Sequence, residues 1–153
     1  MTIFGKSLSE YVSFSRLFLI LVPLVGLLRL GLSLQGVPVS TVRWFSMSVV
    51  GIIAVIYYAI RVHTSGFGSY KQLFALLVLQ GLVSQVFIIL AIVLTMLTGV
   101  ENIFSAPEFG GSQWIHVIAH LFLAIPFGAL VSWGIGSLIL LIARKVAPSP
   151  QTA

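Results

Sequence analysis

The stretch LFALLVLQGLVSQVFIILAIVLTML, Leu73 to Leu97, holds no Asp, Glu, Lys or Arg and is unbroken by proline. An α-helix needs ~20 mostly apolar residues to cross the ~30 Å hydrocarbon core of a bilayer. This run meets that length and is too continuous for a barrel strand, which would show ~10-residue segments of alternating polarity. Three further runs share its character, so the expected spans are residues 17–34, 44–60, 73–97 and 114–142. Hydrophobic residues make up 59% of the 153-residue chain and charged residues 7%, which leaves the polar remainder to short connections. The expected fold is all-α: a polytopic bundle of four transmembrane helices in a single membrane domain, residues 1–153.

The eight Lys and Arg residues set the orientation. With a cytoplasmic amino terminus, Lys6, Arg16, Arg61, Lys71, Arg144 and Lys145 all fall on the cytoplasmic side, Arg43 falls outside, and Arg29 lies within the first span. Both termini are therefore expected in the cytoplasm, as in a multi-pass protein of a bacterial inner membrane. The first span is too long for the core of a signal peptide, and no small-x-small cleavage site follows at Gln35 to Ser40, so it is expected to stay attached. The formal charge of +5 is spread over helix ends. Anionic lipid headgroups at Arg61, Lys71, Arg144 and Lys145 are the expected partners, and nucleic acid is not. With no cysteine in the chain, disulfides, thiolate metal ligands and cysteine nucleophiles drop out together.

Phe4, Leu8, Tyr11 and Val12 recur at helical spacing opposite polar residues, which predicts a short interfacial helix over residues 3–14. Pro23 and Pro126 each remove a backbone hydrogen bond and predict local bends. The inner loop from Arg61 to Lys71 has the glycines and hydroxyls of a small anion-binding turn, or equally of a tight helix connection. Ser105 and Glu108 have the spacing of a capping box.

The fourth span carries the most chemistry. In steps of four it reads His116, His120, Ala124, Gly128, Ser132 and Gly136. Small residues at that spacing let helix backbones meet closely, and the ridge from Ala124 to Gly136 is expected to pack against neighbouring helices or another subunit. Such a ridge drifts about 40° per step, so it is expected to wrap toward two neighbours.

His116 and His120 lie one turn apart near the expected outer end of the helix. They can form a hydrogen-bonded pair in the bundle interior, or share a metal ion with Glu108 or Glu101 as a further ligand. A bis-histidine haem within the chain is excluded, since His63 lies at the other end of the bundle, on the order of 30 Å away. A tetrapyrrole on one imidazole remains allowed. Arg29, placed ~8 Å short of the outer end of the first span, either reaches up to the interface or turns inward with Glu108 toward a ligand such as a quinone. Gln80, Ser84 and Gln85 set polar groups from the inner half to the midplane of the third span, where interhelical hydrogen bonds are the ordinary role.

No nucleophile–base pair and no soluble domain are visible, and no cofactor is required by the sequence. The function expected first is therefore a non-catalytic accessory or assembly subunit, in contact with other transmembrane subunits or with copies of itself. The alternative is a redox or cofactor-binding protein whose quinone, metal or tetrapyrrole site near the outer face is formed by Arg29, His116, His120 and Glu108. Solute transport ranks last, because no acid lies within a span.

Overall fold

The computed structural model describes residues 2–105 and 112–146. Two short strands, β1 (Thr2–Ile3) and β2 (Lys6–Ser7), pair antiparallel and lead into α1 (Leu8–Leu34). A short helix, α2 (Val39–Val42), precedes α3 (Met47–Thr64) and α4 (Tyr70–Thr98). The last span is one helical run in three parts: α5 (Gln113–Ala119), a wide π turn (His120–Ala124) and α6 (Ile125–Val146). Four helical stretches are long and apolar enough to cross a membrane: Leu8–Leu34, Val39–Thr64, Tyr70–Thr98 and Gln113–Val146.

The amino-terminal segment differs from its expectation. Residues 3–14 do not form a separate interfacial helix. Phe4 and Gly5 both take positive φ, 48° and 82°, which is the backbone of a two-residue hairpin turn. The helix starts only at Leu8, where Ser7 and Glu10 form a capping box, and it runs unbroken through Pro23. The hairpin is anchored from outside itself. Tyr11 Oη donates to the Ile3 carbonyl at 3.0 Å, Gln72 Nε2 donates to the Phe4 carbonyl at 2.7 Å, and the Phe67 ring lies against Tyr11 and Phe14.

Helices α1 and α6 sit at opposite corners of the bundle, each packed on both α3 and α4. One core cluster joins Tyr11, Phe18, Ala54, Tyr58, Leu73 and Leu140 in the half that holds the hairpin. A polar link crosses it: Tyr58 Oη donates to Gln80 Oε1 at 3.0 Å, tying α3 to α4, as the amide positions predict. In the other half, Val22, Met47, Ala91 and Phe104 form a second cluster. There Gly26 is required, since a Cβ would stand 2.6 Å from the Phe87 ring.

Pro126 has a different consequence from Pro23. A proline inside a helix cannot donate to the carbonyl four residues back and crowds it. The chain answers with the π turn just before it, in which the Ile125 amide reaches back five residues to the His120 carbonyl.

Candidate functional site

The segment after α4 decides the depth of the histidines. Rather than rising away from the bundle, residues 99–105 fold back along the last turns of α4. Gly99 ends that helix in the left-handed region at φ 71°, and Asn102 Nδ2 donates to the Ala91 carbonyl and to Thr95 Oγ1, both at 2.8 Å. Asn102 Oδ1 accepts from the Phe104 amide at 2.9 Å, Ser105 Oγ accepts from the Asn102 amide at 2.9 Å, and the Ile103 amide donates to Ser33 Oγ at 2.9 Å. Asn102, Thr95 and Ser105 are all buried. Ser105 is a member of this knot; the capping box expected from it rests on Glu108, which lies outside the described residues. Ser112 caps α5, accepting from the Trp114 amide at 3.3 Å.

Because the chain re-enters, the last span begins below the end of α4. His120 consequently meets Gln85 at the middle of α4, roughly 20 Å from the end of that helix at Thr98. His116 and His120 do lie in the first two turns of the last span, as expected; what differs is their height beside α4. The extra depth comes from the folded-back loop, which consumes the height that a direct connection would have spanned.

His120 Nδ1 lies 2.6 Å from Gln85 Oε1, and its Nε2 lies 3.0 Å from His116 Nε2. An amide oxygen only accepts, so His120 Nδ1 carries the proton, its Nε2 accepts, and His116 Nε2–H donates. The result is a directed chain of hydrogen bonds, His116 to His120 to Gln85. Both nitrogens of His120 are thus engaged within the protein, and neither is aimed at open space as an axial ligand for a tetrapyrrole. Two Nε2 atoms this close can both turn to one metal ion, yet among the described residues no group of three His, Asp or Glu side chains comes together.

Arg29 does not join them. Its guanidinium lies 5.3 Å from the centre of the Phe104 ring, on the α1 side of α4, while Gln85 and the histidines lie on the α6 side. Its Nε is buried and has no hydrogen-bond partner among the described residues, so the stacking on Phe104 is the contact that holds it. Glu101 is exposed. The four-residue constellation is therefore split: a histidine pair on one side of α4, Arg29 on the other, and Glu108 undescribed.

The ridge of small residues turns to two neighbouring helices, α3 and α4, as its drift predicts. Ala124, Gly128 and Ser132 face a cavity of about 400 Å³ between α3, α4 and α6, and Gly136 is buried against Leu73, Val55 and Leu77 of the same two helices. The cavity reaches Met47 to Ile56 on α3 and Leu77 to Ile88 on α4. Three glycines open it, one from each helix: a Cβ at Gly51, Gly81 or Gly128 would meet nothing within 4 Å. The rim residues Ile52 and Ile135 are 62% and 53% exposed, so the opening lies on the apolar outer surface between α3 and α6.

Sequence reading found Ser84 and Gln85 but not their situation. Ser84, Gln85 and Ser132 all line the cavity, and the hydroxyls of Ser84 and Ser132 and the amide NH₂ of Gln85 make no hydrogen bond among the described residues. Of the glycines around them, the sequence singles out Gly128 alone, as a close-packing position. At the other end of the bundle, Arg61, Lys71, Arg144 and Lys145 are exposed, with Arg61 over the Tyr57 ring at 5.8 Å and Arg144 over Tyr70 at 4.7 Å. The inner loop is a compact helix connection: Gly66 takes φ 65°, Ser69 and Gln72 cap α4, and Phe67 packs beneath the hairpin.

What the fold and site define is an all-helical protein with four helices long and apolar enough to cross a membrane, wrapped round an uncharged, side-opening cavity. Compared with protein-family models, with curated proteins and with solved structures, the chain finds no match.

Proposed function

We propose that the chain is a multi-pass protein of a bacterial inner membrane, both termini cytoplasmic, that works by binding a lipid-soluble ligand within the bilayer. The single observation that carries this reading is the cavity: of ligand size, opened by three glycines, and entered from the apolar surface. The cytoplasmic orientation is supported by the clustering of Arg61, Lys71, Arg144 and Lys145 at the end that also holds the hairpin. Of the cofactors considered, a quinone-like molecule suits an open apolar cavity better than a metal or a tetrapyrrole, because the two histidines are already hydrogen-bonded to each other and to Gln85.

The reading is tested by releasing the protein from membranes in mild detergent and recording native mass spectra of the wild type and of Gly128→Leu. A bound mass of a few hundred daltons present in the first and absent in the second supports it. Identical spectra without any small bound mass remove it.

A second reading, a non-catalytic accessory or assembly subunit, is favoured by the same unfilled row of Ala124, Gly128 and Ser132, which another subunit's transmembrane helix can enter. The same spectra separate the two, since a co-released polypeptide lost on Gly128→Leu supports the subunit role.

A further inference from the structure

The chemistry of the cavity wall says more about its occupant than the cavity's size does. Nineteen residues line it, and none is Asp, Glu, Lys, Arg or His. A charged group placed here would have no counter-charge in an environment where an unpaired charge costs several kcal/mol. Of the polar residues on the wall, Ser48 stands at the exposed start of α3, and those nearer mid-helix each carry a donor. Gln85 gives its amide oxygen to His120 at 2.6 Å, which turns the NH₂ end of the same amide to the only role left, donation. Ser84 precedes it on α4, and Ser132 stands across the cavity on α6; both hydroxyls lack an internal partner and can donate. Gln80, deeper in the bundle, is already held by Tyr58 and serves the wall rather than the occupant.

An apolar space with three unspent donors at mid-helix is matched by a molecule that brings an oxygen acceptor and no charge. We infer that the cavity holds a neutral, carbonyl-bearing lipid, its carbonyl oxygen accepting from the Gln85 amide and from Ser84 or Ser132, and its apolar body lying along Gly51, Gly81 and Gly128. His120 is a positioning residue: its Nδ1–H fixes which way round the Gln85 amide stands, and His116 fixes the tautomer of His120 in turn. The inference rests on the ligand-binding reading above and narrows it to a chemical class. Two sources share this chemistry, an isoprenoid-type quinone and an acyl ester.

The test uses the full chain purified in detergent micelles with three probes: a decyl-substituted benzoquinone, methyl palmitate, and palmitate. Each is titrated by isothermal calorimetry into the wild type, Gln85→Leu, His120→Leu and Gly51→Leu. Preference for the quinone or for the methyl ester identifies the source, and palmitate is expected to bind at least tenfold more weakly than methyl palmitate because it carries a charge. Gln85→Leu is expected to weaken the preferred neutral probe at least tenfold, His120→Leu by a smaller factor, and Gly51→Leu to abolish binding by filling the space. Palmitate binding as tightly as its ester, or Gln85→Leu leaving affinity unchanged while Gly51→Leu removes it, overturns the carbonyl assignment but keeps the cavity as a ligand site. Binding that Gly51→Leu does not alter, or no binding of any probe, overturns both. A thermal melt of each variant accompanies the titrations, and where Gln85→Leu fails to fold, Ser84→Ala combined with Ser132→Ala, which removes two hydroxyl donors without adding a charge, takes its place with a weakening of the neutral probe expected.

Discussion

Two polar regions lie in the same half-length of α4 and treat their hydrogen-bonding groups in opposite ways. Around Asn102, every side-chain partner is spoken for: Ala91, Thr95, Phe104 and Ser105 close a knot that is buried from all sides. Around Ser84, Gln85 and Ser132, comparable hydroxyl and amide groups face a space of about 400 Å³ with donors to spare. Burying a polar group without a partner costs about 1–3 kcal/mol, which the knot avoids by pairing every group, whereas Ser84, Gln85 and Ser132 are only half-buried and keep their donors toward the cavity. The difference also lies in the neighbours: the knot is sealed by Phe104 and Ile103, whereas the wall is held open by glycines.

Substitutions can break this comparison. Asn102→Ala strips three hydrogen bonds from the knot and is expected to destabilise the protein by about 2–3 kcal/mol, read as a fall in melting temperature in detergent. A melt no lower than that of Ser84→Ala would erase the distinction between the two regions. Gly26→Ala sharpens the packing side of the contrast. Its Cβ would be driven into the Phe87 ring at 2.6 Å, and the expected cost is about 1–3 kcal/mol. Gly128→Leu places a larger side chain where a Cβ meets nothing, so it is expected to raise stability by about 0.5–1 kcal/mol while removing the cavity. A marked loss of stability would show that Gly128 packs closely after all. Smallest of all, Ser84→Ala and Ser132→Ala are each expected to stay within about 0.5 kcal/mol of the wild type, because neither hydroxyl has an internal bond to lose.

Much of the architecture is legible in the order of residues. The four apolar runs announce four helices, and Tyr58 with Gln80 had the depth to find each other across α3 and α4. Those features depend on local composition and on helical rise, which a sequence carries in full. The amino-terminal hairpin was missed because the helical spacing of Phe4, Leu8 and Tyr11 competes with a Phe4-Gly5 turn that gains its hold only from Gln72, far along the chain. The depth of the histidines was missed for the same kind of reason. Nothing local to residues 99–105 says that Asn102 will reach back to Ala91, and without that return the last span starts too high. Pro126 marked the place of a disturbance but not its form, a π turn in which the Ile125 amide reaches back to the His120 carbonyl. Arg29 and the histidines were grouped by depth alone; the side of the helix each one faces depends on packing that depth cannot express.

The hairpin at the start of the chain has a bearing on biogenesis. Its Phe4 carbonyl is held by Gln72, 68 residues later, and its neighbours Tyr11 and Phe14 are held by Phe67. During synthesis the clasp therefore stays open while two complete spans leave the ribosome, and it closes only when the first turn of the third appears. A chain in which α3 packs the wrong way round relative to α1 leaves Phe67 and Gln72 at the opposite end of the bundle from Phe4, and the clasp then never forms.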